Sequence, residues 1–168
     1  YALSSKRSDF LDVWLMAHCA FCITTACGLD SVAEIYRRPF VTINHVPPGD
    51  AVSYHDNLLS FKKLFWRETK KRLTLQECLD NHFLDTKKYV EKGIEIVNLK
   101  PNEIKDIVLE MEMRVKNEWE DTLVDIESQK KFIKVFKKSE AFNELHRFLH
   151  PKFKISTMFL KQNPDFKT

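Results

Sequence analysis

Thr24, Thr25, Cys27 and Gly28 bring small, hydrogen-bonding side chains and a glycine close together along the chain. Placed where a strand runs into a helix, such a set can cradle an anion. Small residues let a ligand approach the backbone, and the first-turn N–H groups of the helix point at it. Arg7 and Ser8 would add a guanidinium and a hydroxyl, provided that the helix they precede enters from the same edge. Asn44 and His45, at the end of the next apolar run, are further candidate ligand contacts. Each residue also has a structural reading: Ser8 and Ser31 as helix caps, Thr24 and Thr25 as strand formers, Gly28 as a turn, His45 as a solvated loop residue. Glu34 could serve as a catalytic carboxylate, but it closes the capping-box spacing Ser31-x-x-Glu34. Asp9 and Asp12 read equally as first-turn acids.

Cys19-x-x-Cys22 invites a metal or redox reading. A structural zinc site needs a second ligand pair at similar spacing, and the sequence has none, so no metal is expected. A thioredoxin-like pair sits where a strand enters a helix, whereas this one leaves a helix and enters a strand. Reduced thiols are expected, with Cys19 and Cys22 turned to opposite faces by an extended chain.

The elements that must position these residues follow from period and punctuation. Phe21–Thr25 and Phe40–Asn44 are short, β-rich apolar runs, and the helical pattern Ser31–Arg37 between them makes a strand–helix–strand unit with parallel strands. Ligands of such units bind outside the carboxyl ends of the strands, where the loop 24–30 falls. Ser8 starts a helix through about Ala17, with Phe10, Trp14 and Ala17 toward the core. Residues 58–73 show no clean period and read as extended loop around a short element; their basic-aromatic composition carries no nucleic-acid-binding motif. Thr74-x-x-Glu77 opens a short helix, and residues 85–92 form another that Gly93 ends. Residues 94–97 alternate as a strand, and Pro101 begins a strong helix whose apolar side is Ile104, Ile107, Val108, Met111 and Val115. Residues 121–146 continue as one or two amphipathic helices through Leu123, Ile126, Phe132, Val135 and Phe136, and residues 154–162 make a last helix. Gly28 and Gly93 are expected to serve backbone conformation. The expected organisation is a Rossmann-like portion over residues 1–50 and a mostly helical extension over 51–168 packed on it.

The 168 residues suffice for one domain with a real core, and 43% apolar with 30% charged residues is ordinary globular composition. A net charge of +3 does not call for nucleic acid, while the Lys-rich helices allow peripheral association with an anionic membrane. No run is long and apolar enough for a transmembrane helix. A start at Tyr1 rather than Met reads as a fragment or processed chain.

Three series of residues carry a resemblance: Tyr1-Ala2-x-Ser4-x-x-Arg7-Ser8-Asp9-Phe10-x-Asp12, Cys19-x-Phe21-x-Ile23-x-Thr25-x-x-Gly28, and Pro39-x-x-x-Ile43-Asn44. With Arg72-Leu73-Thr74-Leu75-x-Glu77, Gly93-Ile94-Glu95, the helix from Pro101 and Ser156-x-x-Phe159-Leu160-x-x-Asn163-Pro164, the chain resembles the C-terminal half of bacterial glycosyltransferases of surface-carbohydrate loci, which are similar to GT-B enzymes. The resemblance implies a domain that binds a nucleotide sugar and passes its sugar to a surface glycan or lipid-linked acceptor. Arg7, Ser8, Thr25, Cys27, Gly28 and Leu29 would line the donor site, without a cofactor or a required metal. It implies a cytoplasmic location, where the chain could meet the inner face of the membrane, and an acceptor domain outside these residues. Ala26-Cys27 stands where a serine-rich loop is expected, and no Glu-x7-Glu pair is present, so the resemblance assigns neither a catalytic base nor a stereochemical outcome. The alternatives are a non-catalytic domain that binds a partner or membrane through a degenerate Rossmann-like unit and, behind it, a nucleotide-sugar epimerase.

Overall fold

The computed structural model describes all residues except 2, 52–55, 146–147 and 168, and the side chains of 145 and 167. Four parallel strands form the central sheet in the order β1 (Cys22–Thr24), β2 (Phe40–His45), β3 (Asn57–Phe61), β6 (Lys154–Ile155). Phe40 pairs with Cys22 on one side and with Asn57 on the other, and Leu58 faces Lys154. The expected parallel pairing of the first two apolar runs is therefore present. Helix α2 (Asp30–Ile35) returns the chain from the end of β1 to the start of β2, as a parallel pair requires.

Residues 58–73 hold the end of one strand and a second strand rather than a loop around one short element. β3 is buried along its length, and one residue later β4 (Lys63–Trp66) leaves the parallel sheet to pair antiparallel with β5 (Ile94–Val97). Between them come α3 (Leu75–Asp80), capped by the expected box of Thr74 and Glu77, and α4 (Thr86–Glu91). Gly93 follows with φ of 70°, the left-handed conformation expected of it. Helix α5 (Pro101–Val115) buries Ile107 and Met111 and partly buries Ile104, Val108 and Val115, the apolar side its sequence marks out.

The main core stacks Phe61, Phe132, Phe136, Phe159 and Phe166, all 1% exposed or less. Each such ring contributes about 1.5–3 kcal/mol relative to an exposed one. Helix α6 (Leu123–Phe136) supplies two of them, but its first turns correct the expected stripe. Leu123 and Ile126 are exposed, and Asp125, Ser128 and Gln129 are buried instead. Asp125 completes a capping box with Thr122, and the Gln129 side chain hydrogen-bonds both backbone groups of Ile155. That anchor holds β6 on the sheet, where a continuous helix had been expected. After α6, α7 (Glu140–Leu145) packs by the turn Pro48–Asp50, and α8 (Thr157–Gln162) packs against α5. Glu110 of α5 is fully buried and accepts from the Thr157 and Met158 N–H groups at 3.0 and 2.9 Å, from Ser156, and from Arg114.

The first helix, α1 (Asp9–His18), departs furthest from its pattern. Ala17 is buried, but Phe10 is 73% exposed and Trp14 is also exposed. Among the described residues, its inner side meets a small separate cluster of Cys22, Ala33 and Phe40, joined by Met16 and Cys19. Cys19 and Cys22 therefore share one side. The chain turns after α1 instead of running extended, which overturns the opposite-face expectation. The cysteines are free thiols.

Candidate functional site

The loop after β1 is organised by one buried hydroxyl. Thr24 Oγ1 donates to the Asp30 carboxylate at 2.8 Å and accepts the Ala26 N–H at 3.0 Å, with Cys27 Sγ 3.8 Å away. This draws the chain into a tight turn in which Ala26, not Gly28, adopts a left-handed φ of 63°. Gly28 needs no glycine: its φ is ordinary, and a methyl group there would meet nothing within 4 Å. Thr25, Cys27, Gly28 and Leu29 are exposed along the rim.

The helix start also differs from expectation. Leu29 sits at the cap with helical dihedrals and makes no side-chain cap, so the Ser31–Glu34 box does not form. Thr24 has pulled Asp30 into the first turn, one residue earlier. The N-terminus of a six-residue helix thus carries its own carboxylate, and a phosphate there would face a like charge.

Ser8 does cap α1, accepting the Leu11 N–H at 3.2 Å. Arg38, just past α2, donates to the Ala17 carbonyl at 2.6 Å, tying the ends of α1 and α2 together. The two helices pack side by side, so their starts lie toward the same edge of the sheet. Yet Arg7 is held by Asp12 at 3.1 Å, and no hydrogen bond or ion pair joins Arg7 or Ser8 to residues 24–30 among the described residues. Thr25, Cys27, Gly28 and Leu29 thus share the exposed rim of the loop, while Arg7 and Ser8 are engaged locally, with Asp12 and Leu11.

Asn44 and His45 come together with the loop. Asn44 takes φ of 55° where the register of β2 against β3 shifts, and its Oδ1 accepts the Leu99 N–H at 2.7 Å. That kink turns His45 toward Phe61, whose ring meets it edge-on at 6.1 Å. Nε2 of His45 is buried with no hydrogen-bond partner. Burial pushes the imidazole below the ordinary histidine value, opposed by the charge and a backbone hydrogen bond at Asp50. At neutral pH the ring is therefore uncharged, and Nε2 can make one hydrogen bond to a ligand.

Two cavities, of about 200 and 440 Å³, open at this carboxyl edge and share Ala26, His45 and Asp50 in their walls. Asp30, Glu34 and Thr42 complete the smaller, and Thr25, Asn44, Lys62 and Asn98 the larger. The smaller cavity is thus acidic, and the larger sets the single cation Lys62 against the one carboxylate Asp50. Among the described residues, no group of three or more His, Cys, Asp or Glu is placed to hold a metal ion. Sequence reasoning missed Asp30, Asp50 and Lys62. The stretch Pro47-Pro48-Gly49-Asp50 is turn-forming in composition, but nothing local shows that it folds back over His45.

Comparison with protein-family models, curated proteins and solved structures gives no match to this chain. The class is set by the coordinates alone: an α/β protein with a four-stranded parallel sheet. Among the described residues no helix is long and apolar enough to cross a membrane.

Proposed function

We propose that the chain is the donor-binding part of a GT-B-like glycosyltransferase, a Rossmann-like portion that holds a nucleoside diphosphate sugar for transfer to a surface glycan or lipid-linked acceptor. The observation that carries this reading is the unpartnered His45 Nε2 in the wall of cavities at the carboxyl edge of a parallel sheet. Ligands of open α/β sheets bind at that edge. The carboxylates of Asp30, Glu34 and Asp50 suit the hydroxyl groups of a ribose or sugar, which donate hydrogen bonds to them. The diphosphate belongs in the larger cavity, near Lys62 and Thr25, rather than on the short helix α2. Arg7 contributes there only by leaving Asp12. No catalytic base is assigned.

Calorimetric titration with a panel of nucleoside diphosphates tests the reading, using the wild type with Lys62→Ala, His45→Phe and Arg7→Ala. One diphosphate should bind, with Lys62→Ala and His45→Phe each weakening it by about tenfold or more. Arg7→Ala should change little.

A second reading is favoured by a different observation. Phe10, Val13, Trp14 and Leu15 of α1 are exposed, and so are Ile35 and Tyr36 at the end of α2. In that reading the chain is a non-catalytic interaction domain whose apolar α1–α2 layer meets a partner. Failure of every diphosphate to bind puts this reading first.

A further inference from the structure

A further cavity lies at the opposite edge of the sheet. It measures about 630 Å³ and is bounded by Pro39 ahead of β2, by the first residues of β3 and β6, and by the end of α5 with the segment through Glu120. Its volume lies within the range of small-molecule sites.

Asn57, the first residue of β3, lines this cavity and is only 2% exposed, yet neither Oδ1 nor Nδ2 has a hydrogen-bond partner. A buried carboxamide without partners is costly and rare in a folded chain. A ligand that supplies a donor and an acceptor removes that cost. Trp119 adds an indole wall in a fixed orientation: its N–H donates to Asp121 at 2.9 Å, and the Arg114 guanidinium lies 5.1 Å from its ring centroid.

Charge decides what the ligand is not. Arg114, Lys152 and Lys154 lie in the wall, but each is already paired: Arg114 with Glu110 and Asp121, Lys154 with Asp121, and Lys152 with Asp56 at 3.3 Å. A phosphate would have to displace a carboxylate from its partner. Sugars fit better, because their hydroxyls both donate and accept, their C–H faces suit an aromatic wall, and they carry no charge. A carboxylate acceptor for them stands in the same wall at Glu120.

The geometry points to a site for a neutral saccharide of one or two units, bound through the Asn57 carboxamide and the Trp119 ring. This site does not depend on the reading given to the His45 edge.

The test is a ¹H–¹⁵N titration of the full chain with N-acetylglucosamine and its β-1,4-linked dimer, with uridine and inorganic phosphate run alongside. The expected result is saturable shifts of the Asn57 side-chain amide and Trp119 indole signals with the saccharides only. Asn57→Leu should melt higher than wild type, having lost two unpartnered polar atoms, and should bind at least about tenfold more weakly. Trp119→Phe should weaken binding with an unchanged spectrum elsewhere, and it carries the test if Asn57→Leu does not fold. The inference is overturned if no saccharide gives saturable shifts at tens of millimolar. It is equally overturned if both variants bind as wild type does, or if uridine or phosphate binds there in place of sugar.

Discussion

Thr24 and Asp30 are joined by a hydrogen bond of 2.8 Å that spans the whole turn between β1 and α2. Because the same hydroxyl accepts the Ala26 N–H, one side chain holds both the left-handed residue and the first acid of the helix. Thr24→Val keeps the shape and removes both bonds. It should cost about 0.5–1.5 kcal/mol, the net worth of a hydrogen bond, because the Ala26 N–H and the Asp30 carboxylate that lose their partner are only partly shielded from water. Thr24→Ser should recover most of that loss. Urea denaturation of the three proteins measures this, and a Thr24→Val midpoint equal to wild type would show that the turn is held by other means.

The same contact explains where the sequence was legible at this site and where it was not. Two capping boxes have identical spacing, Thr74-x-x-Glu77 and Ser31-x-x-Glu34. The first forms and the second does not. Thr74 has no competitor, whereas Asp30 is claimed by Thr24 from across the turn, a contact that helical period cannot show. Strands β1, β2 and β5 and helix α5 were readable because their apolar residues repeat locally. β6 is two residues long and exists through Gln129, far away in sequence, so no local pattern announces it. Helix α1 is the converse case. Its apolar face is clear in the sequence, but the described residues offer only Ala33 and its neighbours to cover it.

His45 should make stability pH-dependent. Its pKa in the folded chain is lowered by burial, so the unfolded chain binds the proton more readily. The contribution of neutral His45 is complete above the unfolded value of about 6.5 and is lost as pH falls through and below it. The slope from this single group reaches at most about 1.4 kcal/mol per pH unit. His45→Leu retains apolar contact with Phe61 and cannot be protonated. Its stability should therefore fall less than that of wild type between about pH 7 and pH 5. Parallel stability–pH curves for the two proteins would rule out this role for His45.

Cys22, Cys27 and Cys78 should separate by reactivity. Burial pushes Cys22 up to about 11, with Cys19, Asp30 and Cys27 adding to the shift, and pushes Cys78 up to about 12. Cys27 stands exposed on the rim of the candidate site. Thiolate is the reacting form, so iodoacetamide near pH 8 should label Cys27 first and leave Cys22 and Cys78 unmodified until the chain unfolds. Peptide mass spectrometry over time follows this. Native-state labelling of Cys22 as fast as Cys27 would mean that β1 opens readily from the edge of the sheet.

The glycines give the sharpest contrast between what period suggests and what packing requires. Gly28 sits in the candidate loop and is expected from the sequence to serve backbone conformation, yet its φ is ordinary and an added methyl meets open space. At Gly49, by contrast, a Cβ would run into the His82 ring and come within 2.9 Å of the Ala141 Cβ. The reason is tertiary: the turn Pro48–Asp50 is buried at Pro48 and Gly49, where α7 and the end of α3 press on it. Gly28→Ala should be neutral or stabilise by up to about 1 kcal/mol, because it restricts the unfolded chain without a clash. Gly49→Ala should cost about 1–3 kcal/mol, the usual penalty for overpacking. It should also disturb the neighbouring Asp50 and hence the wall that Asp50 gives both cavities around His45. Thermal melts of the two variants decide the order. If Gly28→Ala proves the more damaging, the turn that Thr24 closes is not the one described, and the candidate site must be redrawn around it.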